Sequence, residues 1–188
     1  MDFRILGPLE VVRGDQTLRL GSGRQLALFA VLLLHRNEAI SIDRIVDHLW
    51  GESPPPTAAK IVRNSVSLLR KALGDGGELI RTQGQGYKLL LPPDTLDADR
   101  FELLLRDGRH ALADGDAERA RGLLGEALAL WRGPALADFA YEPFAQREID
   151  RLDELRLSAL EERLEADLRL GRHAELVAEL APLVREHP

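Results

Sequence analysis

Pro92-Pro93 divides the chain into two stretches with different residue patterns, which limits the folds open to it. Before this dipeptide, short apolar stretches typical of strands alternate with segments of helical spacing, whereas from Ala98 onward the pattern is helical throughout. Successive prolines cannot donate backbone hydrogen bonds and favour an extended connection. The sequence therefore predicts two domains, a mixed α+β domain over residues 1–93 and an all-α domain over residues 97–188.

The two stretches also differ in charge. Residues 1–95 carry 12 Lys and Arg and 10 Asp and Glu, a net charge of +2, whereas residues 96–188 carry 13 and 21, a net charge of −8. An asymmetry of this size suggests that the two domains have different partners.

The composition excludes several classes of protein. The chain has no cysteine, which excludes disulfides, zinc sites made of thiolates and a cysteine nucleophile. The longest apolar run, from Leu26 to Leu34, is far shorter than the ~20 residues that a transmembrane helix needs. The N-terminus lacks the basic and apolar regions of a signal peptide. We therefore expect a cytoplasmic protein with no membrane partner.

Residues 1–93 show signals for three short strands, three helices and a final hairpin. Turn dipeptides containing glycine separate the first strands, which predicts a small antiparallel sheet. Ser41 and Thr57 are suited to cap the second and third helices, which end before Gly51 and Gly74. The predicted strands are 3–6, 9–12, 17–20, 79–82 and 87–91, and the predicted helices are 24–35, 42–50 and 58–73.

The second domain contains a weak internal repeat. Gly115-Asp116-Ala117-Glu118 and Gly171-Arg172-His173-Ala174-Glu175 each lead into a helix with small and large apolar residues. This pattern is typical of paired helices that stack in a tetratricopeptide-like array. The chain stops at Pro188, in the middle of the array, so we expect a truncated piece of a longer protein, with a short natural protein as the alternative. Helices are predicted at 98–113, 117–131, 142–170 and 173–186.

The third helix has one face of DNA-binding character. Helical spacing places its apolar residues on an inner face and its cations, one amide and one hydroxyl on an outer face that lacks acids. Cations suit phosphates, whereas forked or amide donors suit base edges in a major groove. The inner face is predicted to hold Ile61, Val62, Ser65, Leu69, Ala72 and Leu73. We assign Arg63, Asn64 and Ser67 to base edges, and Lys60, Arg70 and Lys71 to phosphates.

The hairpin that follows adds a second candidate contact. Its turn is Gln83-Gly84-Gln85-Gly86, and Arg81 and Lys88 flank it. The glycines allow the backbone to approach a sugar-phosphate chain, so this hairpin is suited to an adjacent groove. An ordinary amphipathic helix with a solvated basic face explains the third helix equally well by itself. The order of elements and the hairpin favour DNA binding.

These segments resemble a known family. The motifs Leu49-Trp50-Gly51, Leu69-Arg70-Lys71-Ala72-Leu73-Gly74 and Gly86-Tyr87, in this order, resemble the winged helix-turn-helix domain of the OmpR/PhoB class. With the helical segment that follows, nearly the whole chain resembles the Streptomyces antibiotic regulatory protein (SARP) family. The second domain is then similar to the bacterial transcriptional activation domain. Leu68 and Gln83 depart from the family pattern, since relatives usually have an arginine at each place.

The resemblance implies a transcriptional activator of antibiotic or other secondary-metabolite biosynthesis genes. Such a protein binds direct repeats upstream of a promoter as a dimer on double-stranded DNA. It recruits RNA polymerase holoenzyme through contacts that include the sigma factor. The expected location is then the nucleoid within the cytoplasm.

The sequence leaves two other classes of function to consider, a protein-binding scaffold and an enzyme. A helical-repeat scaffold that binds proteins would contact nucleic acid only incidentally, and a salt titration of duplex binding separates it from a regulator. An enzyme is not expected, because no phosphate-binding loop or nucleophile motif is present. No cofactor or metal is expected either, because the five histidines show no ligand spacing.

Overall fold

The computed structural model describes residues 1–173, which hold two small sheets, six α-helices and two short 3₁₀ turns. Residues 174–188, and with them most of the helix predicted at 173–186, lie outside the described residues. The strands are β1 (Asp2–Arg4), β2 (Glu10–Arg13), β3 (Gln16–Thr17), β4 (Ala39–Ser41), β5 (Ile80–Gln83) and β6 (Gly86–Leu89). The helices are α1 (Arg24–Leu34), α2 (Ile42–Trp50), α3 (Ala58–Leu73), α4 (Asp97–Ala113), α5 (Ala117–Ala129) and α6 (Pro143–Arg169). The 3₁₀ turns are Gly74–Leu79 and Ala137–Phe139.

The first sheet has the order β1-β2-β3 and is antiparallel throughout, as predicted. Phe3 pairs with Val11, and both side chains are fully buried. Leu6 was predicted to end the first strand and Leu9 to begin the second; both lie in the connection between β1 and β2 but remain buried. The apolar pattern thus predicted which residues are buried more accurately than it predicted where the strands begin and end.

Helix α2 has the predicted bounds because its ends are fixed by local chemistry. The Ser41 hydroxyl accepts a hydrogen bond from the backbone N–H of Arg44 at 3.2 Å, as an N-cap should. Gly51 ends the helix with a φ of 57°, a conformation that favours glycine. Thr57 precedes α3 as predicted, but its side chain makes no capping hydrogen bond.

The second sheet has the order β4-β6-β5. The β5–β6 hairpin was predicted, and β4 was not. Ile40 of β4 pairs with Tyr87 of β6, so a three-residue strand between α1 and α2 holds the hairpin against the three helices. We call residues 80–89, the β5–β6 hairpin, the wing, because the sheet and the three helices together form a winged helix.

Helices α4, α5 and α6 form a layered helical unit. Arg151 of α6 contacts Glu102 of α4 at 2.8 Å, and near the other end Arg169 donates to the carbonyl of Leu112 at 2.8 Å. These contacts advance together along both helices, so α4 and α6 run in the same direction with α5 returning between them. This is the arrangement predicted for tetratricopeptide-like helices. Within residues 1–173, no helix combines the length and apolar character that crossing a bilayer requires.

The winged helix and the helical unit share one hydrophobic core. Ile5 and Leu6, after β1, are fully buried in the same cluster as Phe101 of α4 and Leu136. The sequence places the boundary between residues 93 and 97, and that boundary stays a prediction. Backbone hydrogen bonds cross between the two units, including Phe3 N–H to Thr95 C=O (2.8 Å), Arg132 N–H to Leu6 C=O (2.7 Å) and Leu136 N–H to Ile5 C=O (2.8 Å).

A buried carboxylate completes this contact. Asp97, the first residue of α4, is only 2% exposed. Its two oxygens accept hydrogen bonds from the backbone N–H groups of Ile5 (2.8 Å) and Leu6 (3.1 Å). Burial raises the pKa of the Asp97 carboxyl above its ordinary value, while these donors and nearby Arg132 act in the opposite direction. We call the contacts of residues 3–10 with residues 95–97 and 132–138 the joint.

Candidate nucleic-acid interface

Helix α3 presents a polar face to solvent because its apolar residues lie on the opposite side. Ala58, Val62, Val66, Leu69 and Leu73 are buried in the core. The predicted inner face omitted Val66 and included Ile61, Ser65 and Ala72, which are only half-buried. Five predicted DNA-contacting residues are exposed, and we call them the outer face: Lys60, Arg63, Asn64, Ser67 and Lys71.

The cations of the outer face have no carboxylate partner among the residues that the structure describes. Within residues 1–173, Lys60, Arg63 and Lys71 form no ion pair with a carboxylate. Helix α3 also lacks acids in its first turn, while Arg70 and Lys71 lie in its last turn. This surface is therefore available to an anionic partner.

Arg70 differs from the other predicted phosphate contacts. It is half-buried, and its Nε donates to the carbonyl of Ile80 at 2.9 Å. A terminal nitrogen donates to the Thr82 hydroxyl at 3.0 Å, and the guanidinium lies 5.8 Å from the centre of the Tyr87 ring. The structure thus places Arg70 between α3 and the wing, where its hydrogen bonds and its contact with the Tyr87 ring join the two elements.

The wing carries the other four predicted residues. Arg81 pairs with Lys88 across the two strands, so their side chains lie on the same face of the hairpin. Arg81, Gln83 and Gln85 are exposed, and Lys88 is half-buried. Tyr87 lies on the opposite face and is 7% exposed, so its ring packs beneath the hairpin.

Gly86 allows the wing to sit close to the helices. A Cβ atom on Gly86 would lie 1.9 Å from the carbonyl oxygen of Ile40 in β4. The backbone N–H of Ile42, at the start of α2, donates to the carbonyl of Gln85 at 3.0 Å. Together with Arg70, these contacts fix the wing beside α3, so the outer face and the wing are adjacent regions of a single surface.

Leu68 lies in the same region, although no DNA contact was predicted for it. This side chain is 53% exposed. Helical spacing places it next to Asn64 and Lys71. Its apolar side chain offers no donor or acceptor to DNA, and the sequence marks it only as a departure from the family pattern.

The helical unit, residues 97–173, has a different electrostatic character. Many of its arginines pair with acids, which neutralises both partners. The acids of α6 alternate with arginines along the sequence, and such a pattern is typical of a solvated face with salt bridges. The pairs include Arg109–Glu162, Arg121–Asp167, Arg151–Glu148, Arg163–Asp167 and Arg169–Glu165.

A winged helix joined to a helical domain is an architecture of bacterial transcriptional regulators, and the comparisons place the chain in that class. Residues 15–89 match the family described as "Transcriptional regulatory protein, C terminal". Residues 96–188 match the "Bacterial transcriptional activator domain".

The chain belongs to the Streptomyces antibiotic regulatory protein family of transcriptional regulators. Regulatory protein DnrI of Streptomyces peucetius is 32% identical over 197 residues, which are all of this chain and 72% of DnrI. Regulatory protein AfsR of Streptomyces coelicolor is 43% identical over 187 residues, 99% of this chain.

A solved structure shares the fold along the whole chain. Mycobacterium tuberculosis EmbR, determined in complex with a low affinity phosphopeptide, has a TM-score of 0.94 and 35% sequence identity, and the match covers 100% of this chain. The chain spans 50% of that EmbR chain and 18% of the Streptomyces coelicolor AfsR.

Proposed function

We propose that the chain binds specific double-stranded DNA and activates transcription, with α3 in a major groove and the wing in an adjacent groove. The observation that carries this proposal is the unpaired cationic outer face of α3 beside a wing that carries Arg81 and Lys88. If α3 were only an amphipathic helix with a solvated basic face, nothing would require a second cationic element to be fixed beside it. The proposed activity is binding and recruitment, not catalysis.

The residues divide by the groups they would contact. Arg63 can bind guanine O6 and N7 with two donors, and Asn64 can bind adenine N6 and N7. The Ser67 hydroxyl suits either kind of base edge. Lys60 and Lys71 on α3, with Arg81 and Lys88 on the wing, would contact phosphates and fix the register of the protein. Gln83 and Gln85 at the tip would enter the adjacent groove.

The remainder of the proposal rests on family membership. We infer that the protein binds direct repeats as a dimer and contacts RNA polymerase holoenzyme, including its sigma factor. Control of antibiotic or other secondary-metabolite genes, in the cytoplasm at the nucleoid, completes the proposal. The acidic helical unit supports this division of roles, because a net negative surface suits a protein partner better than phosphates.

The proposal is tested by comparing two variants on selected and unrelated DNA. Operator duplexes are selected from a random pool with the full chain, and binding is measured across a salt series. Arg63→Ala should lose about 1–3 kcal/mol on the selected site and relax its sequence preference. Lys60→Ala should weaken all duplexes alike and reduce the slope of log K against log salt by about 0.9.

A third variant controls for the loss of any exposed arginine. Arg119 on α5 is exposed in the helical unit, so Arg119→Ala should bind both kinds of DNA as the unmodified chain does. An Arg63→Ala variant that kept the same ratio of specific to unrelated binding would refute the role of Arg63. Weak, salt-insensitive and unselective binding by the unmodified chain would instead favour a protein-binding scaffold.

A further inference from the structure

Leu68 is an apolar side chain left exposed on the surface that otherwise offers polar groups to DNA. Among the exposed large hydrophobic residues of the described chain, Leu103, Tyr141, Leu157 and Leu168 all lie in the helical unit. Only Leu68 belongs to the winged helix, and it is 53% exposed. A single exposed leucine has no meaning by itself, so its neighbours decide whether it has a role.

The neighbours of Leu68 are residues proposed to contact DNA. Asn64 lies four residues before it and Lys71 three residues after it, which on a helix brings their Cβ atoms to about 5–6 Å. Asn64, Ser67 and Lys71 are all exposed. Leu68 is therefore positioned to reach the same groove as Asn64, about one turn further along α3.

The major groove offers one apolar group to such a side chain. Guanine, cytosine and adenine present donors and acceptors there, whereas thymine also presents its C5-methyl group. We propose that Leu68 contacts the methyl group of a thymine beside the base that Asn64 contacts, and so selects thymine at that position. This inference rests on the proposed function, because it requires α3 to lie in a major groove.

Deoxyuridine tests the proposal, because it removes the thymine methyl group and leaves the hydrogen-bonding groups in place. Each thymine of a selected operator is replaced in turn, and binding by the full chain is measured. Replacement at one thymine should weaken binding about three- to fivefold, the effect of one buried methyl group. Leu68→Ala should bind the thymine and deoxyuridine duplexes equally at that position.

A matched control separates this effect from a general loss of exposed leucine. Leu157 on α6 has the same exposure of 53%, so Leu157→Ala should keep the full sensitivity to deoxyuridine. Leu68→Gln keeps the side-chain length and helix propensity, and it should give the same result as Leu68→Ala. Circular dichroism checks that each variant is folded.

The possible failures are distinguishable. If the unmodified chain binds its operator selectively but is insensitive to deoxyuridine at every thymine, the role of Leu68 is refuted and DNA recognition stands. If both Leu68 variants keep the sensitivity, another residue contacts the methyl group and the proposal is also refuted. If the unmodified chain selects no sequence, the proposed function fails, and the inference fails with it.

Discussion

At the scale of single residues, Asp97 shows how one buried side chain connects distant segments of the chain. It lies more than 90 positions from Ile5 and Leu6 in the sequence, yet its oxygens satisfy both of their backbone N–H groups. A buried N–H group without an acceptor destabilises the fold. The Asp97 carboxylate therefore stabilises the segment after β1 and its packing against the start of α4.

Replacement of Asp97 by alanine should destabilise the whole described fold. Two buried N–H groups would lose their acceptors, and we expect a loss of about 2–4 kcal/mol in the free energy of unfolding. Chemical denaturation at pH 7 measures it. Asp99→Ala is the control, because Asp99 pairs with Arg36 near the surface and such pairs contribute under about 1 kcal/mol. Equal losses for the two variants would contradict the role given to Asp97.

At the scale of secondary-structure elements, Arg70 links α3 to the wing. The sequence pattern places it on the outward side of α3 with the other cations. Its hydrogen bonds to Ile80 and Thr82 depend on a hairpin that begins seven residues after α3 ends. No helical periodicity can show a contact of this kind, because periodicity describes one element at a time.

Arg70→Ala and Lys71→Ala should therefore behave differently. Arg70→Ala should lower the free energy of unfolding by about 1–2 kcal/mol through lost hydrogen bonds, with little change in the salt dependence of DNA binding. Lys71→Ala should leave stability nearly unchanged and reduce the salt slope by about 0.9. Thermal unfolding and salt titrations measure both. A reduced slope for Arg70→Ala would show that its charge also meets a phosphate.

Some helices and strands could be predicted from the sequence and others could not, for physical reasons that differ from one element to the next. Helix α2 was predicted to the residue because Ser41 and Gly51 fix its ends through local chemistry. Strand β4 was missed because three residues are too few to show alternation, and its partner β6 lies more than 40 positions away. The predicted inner face of α3 omitted Val66 because a helical pattern does not specify where the neighbouring helices lie. The residues of the outer face could be predicted from the helical pattern alone, because they do not contact the neighbouring helices.

At the scale of the whole molecule, the winged helix and the helical unit are less separable than the sequence suggests. The change of pattern at Pro92-Pro93 predicts a boundary, and from it one expects residues 1–95 to fold alone. The structure changes this expectation, because Ile5 and Leu6 are buried against the helical unit and their backbone groups bond to it. Sequence patterns detect a change of secondary structure but not a core that continues across it.

A fragment of residues 1–95 should therefore be much less stable than the full chain. It would expose Ile5 and Leu6 to water, and burying such side chains contributes about 1.5–3 kcal/mol each. We expect residues 1–188 to unfold in one cooperative thermal transition, and we expect the fragment to lose that transition and to bind operator DNA weakly. Circular dichroism and duplex titrations measure the two effects. A fragment that unfolds cooperatively at the temperature of the full chain would show that the joint contributes little.

The joint also has a rotational consequence. Its backbone hydrogen bonds and the buried Asp97 give the helical unit a fixed direction relative to α3. When α3 lies in a major groove as proposed, moving the site by one base pair turns the helical unit about 35° around the duplex, because DNA makes one turn in about 10–10.5 base pairs. The angular position of a site, and not its sequence alone, then determines which side of the DNA the helical unit faces.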